Sequence, residues 1–290
     1  MSALRRLRDA MTGWTLALAL VALAQTVLPV VFATDDLGGR LGACPASDRA
    51  IDVAAAWAGL GPNARSPIAG CSTAAAILLP RVPWSALPFL LACAVALPFA
   101  SALGLLGAWR RGHLVDRGVT AFVVALHAIP GVAVALWIQA GVRAVGLPGL
   151  GAGALDGRGL GASVIGPTLT LACGLLPGLT RLSRAGWREV LGAAWWATAR
   201  DEGRATLLLA LRFGTSTALH APVQQLAWAA PRWVVGAAVV ETVFGWPGVG
   251  TVLARHAAAG DAPVVAFGVT MAAGFAAIAS WVAPMTEPEP

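Results

Sequence analysis

The sequence predicts an all-α membrane protein with six transmembrane helices and both termini in the cytoplasm. Three observations carry that expectation. The 290 residues are 58% hydrophobic and only 12% charged, with a mean hydropathy of +0.74, whereas a soluble domain carries roughly 25% charged residues. Apolar runs of about 20 residues, the length that crosses a hydrocarbon core, recur along the chain. The basic residues, all of them arginine, fall between those runs as orientation signals do. Because they form no single patch, the net charge of +6 does not argue for a nucleic-acid partner.

Arg5, Arg6 and Arg8 precede an apolar run over residues 12–33. The opening has the outline of a secretory signal. Its run is long enough to span, and no clear cleavage site precedes Asp35, so it reads as the first span. Residues 34–83 are rich in Gly, Pro, Ala and Asp and form the main external segment, with a short helix expected near 48–60. Residues 1–83 thus make an N-terminal helix plus loop, 84–284 the transmembrane domain, and 285–290 a disordered acidic tail.

The second span covers 84–108, where Pro88 and Pro98 are kinks that neighbouring helices tolerate. Arg110, Arg111 and Arg117 mark a short cytoplasmic turn, W-R-R-G-H-L-V-D-R. The third span covers 118–142 with A-I-P-G in its middle, a glycine-rich external loop follows at 146–161, and the fourth span covers 162–180. Next comes the polar, arginine-studded interruption of the chain, 181–214. Gly203 is expected to divide it into two helical pieces, since glycine adopts the positive φ that ends a helix. The fifth span covers 215–244, W-P-G-V-G makes an external turn, and the sixth covers 263–284.

The arginines test this topology. Twelve fall on the proposed inside, including Arg181, Arg184, Arg188, Arg200, Arg204 and Arg212. The short external loops hold only Arg143, Arg158 and Arg255, and the long first loop counts for less. Six spans with both ends inside is the arrangement the charges prefer.

Of the four cysteines, Cys93 and Cys173 lie in apolar spans, where a thiol packs as a small hydrophobe. Cys44 and Cys71 share the external loop, and a disulfide is open to them there, although spacing alone does not decide it. No C-x-x-C or His/Cys grouping suggests a metal site.

The break resembles the signature loop of binding-protein-dependent ABC importer permeases, in the dipeptide/oligopeptide/nickel branch. That loop has a pattern like R-T-A-R-A-K-G, matched here by Ala197, Thr198, Ala199, Arg200, Asp201, Glu202 and Gly203. The lead-in fits through Arg181, Arg184, Glu189, Val190 and Leu191. Downstream, A-V-V-E-T-V-F-x-W-P-G-x-G fits from Ala238 to Gly250 and is the most specific piece. The resemblance covers about 84–283 well and the first 80 residues only in layout. It implies a type I importer fold, in which the loop forms short helices that fit a cleft on an ATPase subunit. On that reading Arg184, Glu189, Ala199, Arg200, Asp201, Glu202, Gly203 and Arg204 couple to the ATPase.

The resemblance also implies that ATP and Mg are bound by separate ATPase subunits, with no catalytic residue and no cofactor on this chain, which lacks a G-x-x-x-x-G-K-[ST] loop. A second, homologous permease completes the pathway, an extracytoplasmic solute-binding protein delivers cargo, and the chain sits among lipid as a multi-pass protein of a bacterial inner membrane. The cargo is a peptide or related small solute. Two departures stand out. Asp201–Glu202 replaces a usually neutral–basic pair and opposes the helix dipole at roughly 0.3–1 kcal/mol per exposed carboxylate. The basic run after the glycine is reduced to Arg204.

Arg232, deep in the fifth span, has two readings: on the solute pathway, or paired with a sister subunit. Glu241, nine residues on, fixes the turn formed by Trp246, Pro247 and Gly248 or touches solute. Gln224 lines the pathway or bonds between helices. His127 and His220 lack ligand spacing. Trp195 and Trp196 anchor the loop helix or pack on the ATPase. The alternative is a stand-alone secondary transporter or channel, but neither a clear internal repeat nor intramembrane ion-coupling acids are evident. A membrane hydrolase ranks third, since H-E-x-x-H, G-x-S-x-G and paired intramembrane aspartates are missing.

Overall fold

The computed structural model describes residues 65–66, 68–144, 163–204 and 206–282. The expected first span, Cys44, the glycine-rich loop and the tail lie outside them. A two-residue hairpin pairs β1 (Arg65–Ser66) with β2 (Ser72–Thr73), Arg65 opposite Thr73. The rest is helical: α1 (Ala74–Leu78), a 3-10 turn (Leu79–Arg81), α2 (Val82–Trp109), α3 (Leu114–Ala128) and α4 (Gly131–Ala144). After the undescribed stretch come α5 (Ile165–Gly192), α6 (Ala194–Asp201), α7 (Leu207–Phe244), α8 (Val249–Ala258) and α9 (Ala262–Val282).

Among the described residues, one helical stretch, Ala74–Trp109, is long and apolar enough to cross a membrane by itself. There are up to three such spans if two bent pairs each count as one. The expected third span is one of those pairs. It is not a straight helix: Leu114–Ala128 and Gly131–Val142 meet at 94°. Proline disfavours the α region in the residue before it, and Ile129 is accordingly extended (φ −83°, ψ 124°) ahead of Pro130. The W-P-G turn likewise leads into helix α8 where the sequence suggested only a turn, and Gly236–Phe244 meets Val249–Ala258 at 83°.

The chain divides into two compact units, which fall at residues 88–144, 163–204 and 206–229 for one and 65–87 and 230–282 for the other. In the first, α5 packs against α3 and α4. Small residues Ala92, Ala96, Ala100 and Gly104 recur every fourth position along α2 and are buried, the pattern that lets helix backbones approach closely. A Cβ on Gly104 would lie 2.8 Å from the Arg184 backbone nitrogen, and one on Gly186 would lie 2.8 Å from the Ala218 Cα. Glycine at both points sets how near α5 comes to α2 and α7. Leu90, Val95 and Phe99 of α2 are each more than half exposed, as lipid-facing side chains are.

In the second unit, α1, α8 and α9 enclose a core of Ala74, Leu78, Val264 and Phe267. Three helices end on glycines in the left-handed region: Gly203 after α6 (φ +69°), Gly245 after α7 (φ +63°) and Gly260 after α8 (φ +74°). Each end carries the paired back-bonds that satisfy orphan carbonyls, as in Gly203 N–H to Arg200 O (3.0 Å) with Arg204 N–H to Ala199 O (2.7 Å).

Candidate functional site

The expected start of the polar break at residue 181 is a change of composition and not of conformation. Helix α5 continues to Gly192, because nothing over 181–192 breaks it, and it buries Ser183, Trp187 and Val190 on one face. The chain then turns at Ala193, which is extended (φ −68°, ψ 149°), and starts the eight-residue helix α6. Trp196 is the buried residue of α6. Its ring meets Trp109 at the end of α2 and its neighbour Trp195, both edge-on with centroids 5.8 and 5.7 Å away. A core of Ala108, Trp187, Val190, Trp196, Ala210 and Ala218 lies beneath.

The rest of α6 and the turn after it face outward. Arg200, Asp201, Glu202, Gly203 and Arg204 are exposed, Ala199 is half-buried, and Glu189 is exposed at the end of α5. Arg204 stands 3.5 Å from Glu202, an exposed pair of small energetic weight. The two carboxylates that mark the departure in the sequence thus lie on open surface.

Arg184 points elsewhere. It forms an ion pair with Asp116, and its Nη1 donates to Thr120 Oγ1 at 2.8 Å. Arg188, one turn on, stands 3.4 Å from the other Asp116 oxygen, which also accepts from the Gly112 N–H at 3.2 Å. Asp116 belongs to the arginine-bearing turn, ahead of the expected third span. Burial acts to raise its carboxyl, but the Gly112 N–H and then the two guanidinium groups outweigh that and hold it below the usual carboxylate range. The result is a charged clamp from the start of α3 to the last turns of α5, directly before α6. Sequence reasoning missed Asp116. The available signal was one acidic residue within a turn of three arginines.

In the other unit, the A-V-V-E-T-V-F-G-W-P-G-V-G segment closes on itself. The Gly250 and Thr251 N–H groups donate to Glu241 Oε2 at 2.7 and 3.3 Å, so the Glu241 side chain caps α8 from the end of α7. A Cβ on Gly250 would collide with the Ala238 backbone, so that position needs glycine, and one on Gly248 would displace the Glu241 carboxyl. Trp246 is buried, donates from Nε1 to the Trp84 carbonyl at 2.7 Å, and lies edge-on to the Trp84 ring. The Val249 N–H donates to Ser85 Oγ at 2.8 Å. Pro247 and Gln224 are half-buried. Arg232 lies on α7 within a stretch whose side chains are outside the description. Cys71 is disulfide-bonded, and Cys93 and Cys173 are free. Among the described residues no grouping of His, Cys, Asp and Glu could hold a metal ion.

These motifs can be set beside known proteins. The chain is 32% identical over 179 residues to the oligopeptide transport system permease protein OppB of Mycobacterium tuberculosis, covering 57% of this chain and 55% of that protein. The chain is related to transport-system permease proteins. It is 28% identical over 196 residues to the oligopeptide permease AppB of Bacillus subtilis, covering 65% of this chain and 62% of that one. It is 31% identical over 173 residues to the glutathione permease GsiC of Pectobacterium atrosepticum, covering 59% and 54%. The matches thus span little more than half the length of these curated permeases. No family model matches the chain.

Proposed function

We propose that this chain is a membrane-embedded permease subunit of an ATP-driven ABC importer for peptides or a related small solute, seated in a bacterial inner membrane. The observation that carries the reading is α6: a short, exposed helix with one buried tryptophan, closed by Gly203, held to α2 by the Trp109 contact and joined directly to α5, which the Asp116 clamp ties to α3. A force applied to its outer face passes through packed aromatic rings and ion pairs into α2, α3 and α5. That is the mechanical property a coupling element needs.

The chain's own residues then do no bond chemistry. Arg200, Asp201, Glu202 and Arg204 present charges to an ATPase surface, where charge-assisted hydrogen bonds are the strong ones. Arg184 and Arg188 act from the inner side of the same segment as anchors. A second permease, a solute-binding protein and ATPase subunits carrying ATP and Mg complete the machine. Support comes from the oligopeptide and glutathione permease names of the relatives.

The test is co-purification of the full chain from its native membrane with a soluble ATPase. Charge reversal at Asp201 and Glu202 is expected to lower ATPase recovery and uptake together. Nucleotide-independent solute uptake by the purified chain alone would overturn the reading.

A further inference from the structure

Within the unit formed by residues 65–87 and 230–282, a cavity of about 520 Å³ opens between the 3-10 turn, the start of α2 and the last turns of α8. Its volume falls within the range of small-molecule sites, roughly 300–1,000 Å³. Trp84, Pro80 and Val252 supply apolar wall; among the described residues Arg81, Arg255 and His256 supply the ionisable groups on the lining. Among the described residues no carboxylate lines it. Neither arginine side chain has an ion pair or hydrogen bond among the described residues.

The Asp261 carboxyl is engaged through one oxygen, Oδ2. Asp261 is fully buried, accepts from Ser66 Oγ, and its Oδ2 stands 2.7 Å from His256 Nδ1. That contact fixes the imidazole, and it leaves the two arginines without a carboxylate partner among the described residues. Glu241 is likewise committed, to the N-terminus of α8. The polar order Ser66–Asp261–His256 places the carboxyl between hydroxyl and ring, so the serine is not activated by the histidine and the cluster is a brace rather than a nucleophile.

We propose that this cavity binds the carboxylate end of a small peptide-like solute, with Arg81 and Arg255 holding the carboxylate and Trp84 and Val252 covering the adjoining apolar part. The solute class rests on the permease reading above. Arg81 precedes the second span and Arg255 follows the fifth, so the arginine-count topology puts both on the extracytoplasmic side, where an arriving solute is met. Two guanidinium groups favour carboxylate geometry over a point charge, and an apolar floor suits a peptide terminus better than an inorganic anion.

The experiment titrates N-acetyl-trialanine and its C-terminal amide into the full chain in lipid nanodiscs by calorimetry. The pair differs only in the carboxylate. Wild type is expected to bind the acid at least about ten-fold more tightly than the amide, as charge-assisted bonds require. The double variant R81Q/R255Q should bring the two within about two-fold, with an unchanged melting curve. Equal binding of acid and amide, a preference that survives in the double variant, or no binding of either overturns the site. Nucleotide-independent uptake would instead remove the importer reading, and the titration still decides the cavity by itself.

Discussion

Trp196 of the short helix α6 meets Trp109 at the end of α2 edge-on, with ring centroids 5.8 Å apart and planes at 71°. Two indoles in this geometry are worth about 0.5–1.5 kcal/mol beyond the area they bury. Trp196 is the buried side chain of α6, so it fixes where the exposed face of that helix points.

Replacing Trp196 with Ala should therefore free α6 without melting α5 or α7. Truncating a buried Trp costs about 3–5 kcal/mol, and α6 has little else to hold it. Amide exchange over 194–204 should quicken markedly, while exchange over 170–185 stays slow. Unchanged exchange at 194–204 would show that the tryptophan is not the anchor.

Gly203 stands at φ +69°, a conformation that costs a residue with a Cβ roughly 1–2 kcal/mol. G203V should fray the last turn of α6 and reduce recovery of the partner ATPase, while G203N, which tolerates the left-handed region, should recover most of it. The comparison of the two pull-down yields is the measurement, and equal losses would point to the surface rather than the turn.

Asp116→Asn leaves Arg184 and Arg188 facing a neutral amide, at a cost of about 1–3 kcal/mol for the charged hydrogen bonds lost. The sign with pH follows from the lowered carboxyl. Its stabilisation is present in full above the unfolded-state value and is lost as pH falls through the folded-state value. Wild type should melt above D116N at neutral pH, and the two should converge in acid. A gap that persists at low pH would remove the ion pair as its cause.

Glu241→Ala strips the Gly250 and Thr251 N–H groups of their acceptor, and each unpaired buried donor costs about 1–3 kcal/mol. Glu241→Gln keeps one carbonyl oxygen at the same place. Thermal unfolding should rank wild type, E241Q and E241A in falling order, with E241A well below the other two. If E241Q fell as far as E241A, the hydrogen bonds to α8 would not be what matters.

Some of this was open to a reader of the sequence. Gly203 was expected to end a helix, and the reason was local, since a glycine after a helix-compatible run takes the positive φ. The apolar runs over 84–108 and 263–284 needed no partner to be read, since length and hydropathy are properties of the segment itself. The third span misled because hydropathy sums composition and ignores direction. A-I-P-G is apolar throughout, yet Pro130 turns the chain by 94°. The break at 181 misled in the opposite sense, because arginines do not interrupt a helix.

By itself the sequence determined the helical class, the exposed charge of the segment around Gly203, and the turn at W-P-G-V-G. Only the tertiary structure decided that Arg184 turns inward to Asp116, 68 residues away, and that Arg81 and Arg255 share one cavity. Spans and caps are written in neighbours along the chain, where spacing and propensity act. Ion pairs and cavities join residues whose proximity exists only after helices pack, and no local pattern records which arginine will find which acid.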